Sequence, residues 1–149
     1  MDQHFWLTAG LGGGYFSDSS QESTEGIALV GQLSYLRGVH LWSLRGSVVA
    51  EVLGDGIADL GVLYGRRSEG PQSHVSASAG LGLVYYEDCP GGLGTGGCRS
   101  ATSLGIPFAL TASWRPAPVV GFGVQALGNL NGSHSFIAGL FILELGNLR

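Results

Sequence analysis

Charge is scarce in this 149-residue sequence: aspartate, glutamate, lysine and arginine together make up 12% of it. A water-facing surface carries roughly 25–35% of such residues, so a conventional soluble exterior is excluded. Long apolar runs are missing as well. Mean hydropathy is +0.26, yet no stretch approaches the roughly eighteen apolar residues of a membrane-crossing helix. Basic residues are too few for a nucleic-acid footprint, since the net charge is −4. Cysteine is limited to two residues, without the further ligands that a metal site needs nearby. Glycine is plentiful at 27 residues, which argues against long helices.

What is present is alternation. In Val39 to Leu53, Trp42, Leu44, Gly46, Val48, Ala50 and Val52 form one set of alternate positions. Leu41, Ser43, Arg45, Ser47, Val49 and Glu51 form the other. A period of two is a strand with one apolar and one polar face. Fifteen residues is long for a soluble strand, whereas a tilted membrane-crossing strand needs roughly nine to eleven plus margins. In hydrocarbon every backbone N–H and C=O must be paired, which leaves only helices and edge-free barrels. With helices excluded, the chain is expected to be a single all-β domain over residues 1–149, an eight-stranded antiparallel up-and-down transmembrane β-barrel.

The remaining segments fit that expectation. Strands are predicted at His4 to Phe16, Gly26 to Leu36, Val39 to Leu53, Ile57 to Arg66, Ser73 to Glu87, Ala101 to Arg115, Val119 to Gly128 and His134 to Leu145. The last is the least regular, because Phe136, Leu140 and Ile142 would face inward. Gly54-Asp55-Gly56 is a short hairpin signal. If both termini share one side, the outward aromatics sort into two girdles at the membrane interfaces. Phe5, Tyr35, Trp42, Tyr64 and Trp114 fall toward the termini, with Tyr15 and Tyr85 at the opposite rim. Charge sorts in parallel: Arg37, Arg66, Arg67, Arg115 and Arg149 on the terminus side, and Asp18, Glu22, Glu25, Asp55, Glu87 and Asp88 on the other.

By strand count, by short turns alternating with loops and by these girdles, the chain resembles the small eight-stranded bacterial outer-membrane barrels. That group includes the OmpA transmembrane domain and OmpX. The resemblance covers nearly the whole sequence and implies a bacterial outer-membrane protein with both termini in the periplasm and the acidic loops outside the cell. It implies the lipid bilayer and lipopolysaccharide as partners, with other envelope proteins as further candidates. Two features depart from the group: the loops are short, and the chain ends in Asn-Leu-Arg where an aromatic is common. Met1 is followed at once by Asp2, Gln3 and the first strand, so it is read as a start replacing a removed signal peptide.

Candidate functional residues are sparse. Cys89 and Cys98 close a glycine-rich segment and are expected to form a disulfide in an oxidising compartment. Such a bridge limits loop entropy by roughly 2–3 kcal/mol. Arg45, Glu51, Asp59 and Glu144 fall on inward faces and are expected to form a lumen charge network. Arg45 should be held by an inward carboxylate, with Glu144 reaching across as a candidate, and Glu51 and Asp59 should form a second, wetter cluster near the mouth. Eight strands enclose an interior just wide enough for side chains to fill, so the network reads as a plug. A gate or narrow polar path is the alternative. Inward glycines such as Gly10, Gly12, Gly61, Gly80 and Gly82 also leave room for a small ligand cavity. Ser133-His134-Ser135 invites comparison with lipid A-modifying barrels, but a strand turns 134 and 135 to opposite faces. No catalytic residue, metal or cofactor is assigned. The leading expectation is a non-enzymatic barrel in a structural, envelope-assembly or surface-interaction role. The alternative is a narrow channel or carrier for a small hydrophobic molecule, and a lipid A-modifying enzyme ranks last.

Overall fold

The computed structural model describes residues 3–17, 23–52, 54–89 and 97–147. Eight antiparallel strands follow one another around a closed barrel: β1 (Gln3–Ser17), β2 (Ser23–Arg37), β3 (His40–Ala50), β4 (Gly56–Glu69), β5 (Ser73–Asp88), β6 (Arg99–Ala117), β7 (Val120–Leu130) and β8 (Ser135–Gly146). Closure comes from β1 pairing with β8, from Trp6 opposite Gly146 to Ser17 opposite Ser135. Every strand therefore has two neighbours, and no edge is left to expose backbone groups.

The alternation sets which side chains face out. Leu7, Leu11, Leu60, Leu81, Leu104, Phe141 and their kind stand exposed on the outer wall. Such a belt is unfavourable in water and favourable in lipid, at about 25 cal/mol per Å² of apolar surface. Inside, Phe16, Val30, Val49, Ile57, Leu63, Val84, Tyr86, Leu127, Phe136, Leu140 and Ile142 pack into one buried cluster. Phe136, Leu140 and Ile142, which made β8 look irregular, are thus its contribution to an apolar part of the lumen.

Strand boundaries depart from the sequence reading, and β2 begins three residues earlier, at Ser23. β3 spans 11 residues rather than fifteen. It ends at Ala50, paired with Gly56, and the Glu51 N–H is bonded to the Asp55 carbonyl at 3.0 Å. The residues after Ala50 therefore form a wider loop, and Leu53 lies outside the described residues. β4 runs on to Glu69, β7 to Leu130, and β6 is the longest at 19 residues. Pro107 lies inside β6, and the β5–β6 pairing passes from Ala79–Phe108 to Gly82–Gly105 without the residues between. A proline has no N–H to give a ladder.

Inward glycines do not leave empty volume. A Cβ at Gly80 would run into the carbonyl oxygen of Val62 on the neighbouring strand, and one at Gly61 into the Pro107 ring. Their missing side chains are replaced by closely approaching backbone and by cross-lumen neighbours. At these positions the expected room for a ligand is taken up.

Candidate functional site in the barrel lumen

Three polar braces cross the lumen. The first is built on Arg45, which β3 turns inward midway along its length and which is fully buried. Its guanidinium pairs with Asp59 of β4 and donates to two carbonyls across the barrel, Phe108 of β6 at 2.7 Å and Gly128 of β7 at 3.1 Å. Asp59 also accepts from Ser47 and, at 2.9 Å, from the Asn129 amide. One buried ion pair thus ties β3, β4, β6 and β7 together. A buried charge stripped of water is tolerable only with partners of this kind.

The second brace carries no formal charge. Gln125 of β7 donates to Gln32 of β2 at 3.3 Å and to Thr111 at 3.0 Å. Gln32 donates onward to Ser34 and Ser43, whose hydroxyls are 3.0 Å apart. The third lies toward the termini. Glu144 of β8 accepts from Ser113 at 2.7 Å and lies 3.3 Å from His74 Nε2. Beside it, Trp6 lies under the Arg67 guanidinium, 4.5 Å from its centroid. Arg67 and Arg115 both reach the half-exposed Glu69 carboxylate, at 3.0 and 3.6 Å.

The expected site residues are therefore distributed differently. Arg45 is held by Asp59 and not by Glu144, which belongs to the His74–Ser113 cluster. Asp59 is buried and forms no wet cluster with Glu51, which is exposed beyond the end of β3. The reason is geometric. Glu144, Thr8, Gln32 and Arg45 occupy one continuous row of paired residues. Barrel strands tilt by about 35–45°, so such a row climbs around the wall and its ends differ in height.

Arg67, His74, Ser113, Arg115, Gln125 and Asn129 complete the braces beyond the four predicted lumen charges. The predicted strands Ile57 to Arg66 and Val119 to Gly128 stop one residue short of Arg67 and Asn129, which lie inside β4 and β7. Continuing the alternation of Asp59, Gly61, Leu63 and Gly65, or of Gln125 and Leu127, points to both.

Ser113, His74 and Glu144 form a serine–histidine–carboxylate set, but all three are buried and the serine hydroxyl donates to the carboxylate. A triad nucleophile instead gives its proton to the imidazole. At the loop end, His134 stacks on Tyr86 with centroids 4.2 Å apart, and Ser135 is bonded to Asn131. Cys89 and Cys98 form a disulfide, and the Cys89 N–H donates to Asp55 across the rim at 2.9 Å. Glu87 lies beside the disulfide, whose sulfurs are bonded to each other and offer no thiolate.

On the outer wall, Phe5, Trp42, Tyr64 and Trp114 are exposed toward the terminus end, and Tyr15 and Tyr85 toward the loop end. Tyr35 is half-buried beside Trp42.

No protein-family model and no curated protein matches the chain. Solved structures do match along its length. Neisserial surface protein A covers 97% of this chain and 99% of its own, with a TM-score of 0.74 and 14% identity. Ail of Yersinia pestis, in complex with the heparin analogue sucrose octasulfate, covers 98% of both chains with a TM-score of 0.63 and 11% identity. The N-terminal β-barrel domain of Pseudomonas aeruginosa OprF covers 95% of this chain and 97% of its own, with a TM-score of 0.62 and 12% identity. The chain has the fold of the small eight-stranded outer-membrane barrels.

Proposed function

We propose that this chain is a non-enzymatic integral protein of the bacterial outer membrane, with a side-chain-filled lumen and a structural or surface-interaction role in the envelope. The observation that carries the reading is the lumen crossed by three braces inside an apolar outer wall. A barrel so built is anchored by lipid and offers its ends, not its interior, to partners. Lipid and lipopolysaccharide contact the wall, and other envelope proteins are candidates for the ends.

At the loop end Glu25, Asp55, Glu87 and Asp88 outnumber Arg99, the only arginine or lysine described there. Ail is solved with a polyanionic heparin analogue; the acidic loop end of this chain favours neutral or cationic partners instead. A second reading, a carrier of a small hydrophobic molecule, is favoured by one observation. A groove of about 350 Å³ at the loop end is lined by Phe16, Phe108, Leu130 and Phe136.

Fractionation of Gram-negative cells producing the chain behind a cleavable leader tests the proposal. The chain should sediment with outer membrane, and entry of a small chromogenic antibiotic should stay at the level of control cells. Recovery in the soluble periplasm, or faster entry, would overturn it.

A further inference from the structure

On the outer wall near the termini, three strands stack their side chains in rows. Arg37 of β2 pairs with His40 of β3, and His40 with Arg66 of β4. The next outward row is Tyr35, Trp42 and Tyr64, and the one beyond it Leu33, Leu44 and Val62. Rows two residues apart are separated by about 7 Å, and three strands span about 10 Å. The wall thus passes from cationic to aromatic to aliphatic within the depth of a lipid's headgroup, glycerol and upper acyl region.

The row is organised. His40 Nδ1 and the Tyr64 hydroxyl are 2.6 Å apart with their rings stacked, and the Tyr64 ring is 4.8 Å from Trp42. Arg66 is exposed and has no hydrogen-bond or ion-pair partner among the described residues. Together Tyr35, Arg37, Gly38, His40, Trp42 and Tyr64 line a groove of about 670 Å³. Gly38 turns the chain with φ +64°, and the space where its side chain would stand is open.

We propose that this groove, together with the adjoining one that Arg66 lines on the other side of Gly38, is a binding site for one anionic phospholipid, with its phosphate at the junction between Arg37, His40 and Arg66 and its glycerol region on Trp42 and Tyr64. The proposal rests on the membrane-barrel reading. An arginine is the preferred phosphate ligand at such a surface, since it is permanently charged and offers several donors. Two arginines across a 10 Å width match a single phosphate-bearing headgroup, and the Leu33–Leu44–Val62 row continues into the acyl region. No comparable cationic row is formed by the described residues at the loop rim, where Arg99 stands among carboxylates.

The test is native mass spectrometry of the refolded barrel released from nanodiscs of mixed phosphatidylglycerol and phosphatidylcholine. The unmodified protein should retain one phosphatidylglycerol in excess of the bulk ratio. In R37Q/R66Q that preference should fall about thirtyfold, as expected from losing two arginine–anionic-lipid attractions. R99Q should leave it unchanged. If R37Q/R66Q does not fold, the lipid ratio on the unmodified protein still decides, because retention at the bulk ratio overturns the site. Displacement of the lipid by millimolar inorganic phosphate would assign the groove to a free anion and overturn the lipid assignment. Failure to enter nanodiscs at all would overturn the membrane reading, a result distinct from insertion without lipid preference.

Discussion

Arg45 and Glu144 are both inward, both buried charges, and the middle of the lumen and its terminus end hold them differently. Arg45 is fully buried, held by the Phe108 and Gly128 carbonyls, with Asp59 as its single countercharge among the described residues. Glu144 lies with His74 and Ser113, toward the end where Glu69 is half open to solvent. The first is paired with one carboxylate, and the second with a histidine and a serine hydroxyl. The difference teaches that position along the lumen, more than burial of the individual residue, sets what a lumen charge is worth.

Breaking the Arg45–Asp59 pair should have the largest effect. Arg45→Ala leaves Asp59 buried and uncompensated and should cost about 3–5 kcal/mol in reversible refolding from urea. The double variant R45A/D59A should cost less than the sum of the single changes, because the residues are coupled. Additive losses would show that Arg45 and Asp59 do not act as a pair.

Next comes a comparison with the outer wall. Leu60 is 57% exposed and lies between the Tyr64 row and the Ala58–Tyr85 pair. Leu60→Arg near mid-membrane should cost about 2–4 kcal/mol. Ser47→Arg, facing inward beside Asp59, meets packing and charge rather than lipid. The Leu60→Arg cost should change with bilayer thickness and the Ser47→Arg cost should not. An equal response would mean that inside and outside have been exchanged.

Glu144→Gln should be milder than Arg45→Ala, at about 1–3 kcal/mol, since the amide keeps an oxygen to accept from Ser113. A loss equal to that of Arg45→Ala would erase the contrast between the two charges. Smallest is the disulfide. Reducing Cys89–Cys98 should raise the mass by about two hydrogens and loosen the loop, while the barrel's unfolding midpoint stays put. Strand closure, and not this loop, holds the wall together.

How much of this was legible follows from what alternation can and cannot say. Period two gave the face of nearly every residue, because facing depends only on parity along a strand. It placed Arg45, Asp59 and Glu144 inside and Trp42, Tyr64 and Trp114 outside, where the structure has them. It could not give height. Whether Arg45 meets Asp59 or Glu144 depends on register and tilt, which come from pairing with other strands. Strand ends were blurred for a related reason. Arg67 and Asn129 follow glycine and polar signals that read as turns, yet the strands continue through them and bury both. Glu51 shows the opposite error, since a tight Gly54–Gly56 hairpin was expected and a wider loop begins after Ala50. The apolar part of the lumen was visible in Phe136, Leu140 and Ile142 but ran against the expectation of a polar interior. An eight-stranded interior is narrow enough to be packed as a core.

The most direct test of the closed lumen is single-channel recording of the refolded protein in planar bilayers. Three cross-lumen braces predict little or no steady conductance from the unmodified chain, with openings appearing only when Arg45 or Asp59 is removed. Stable, large conductance steps from the unmodified protein would contradict the closed lumen and make the chain a channel.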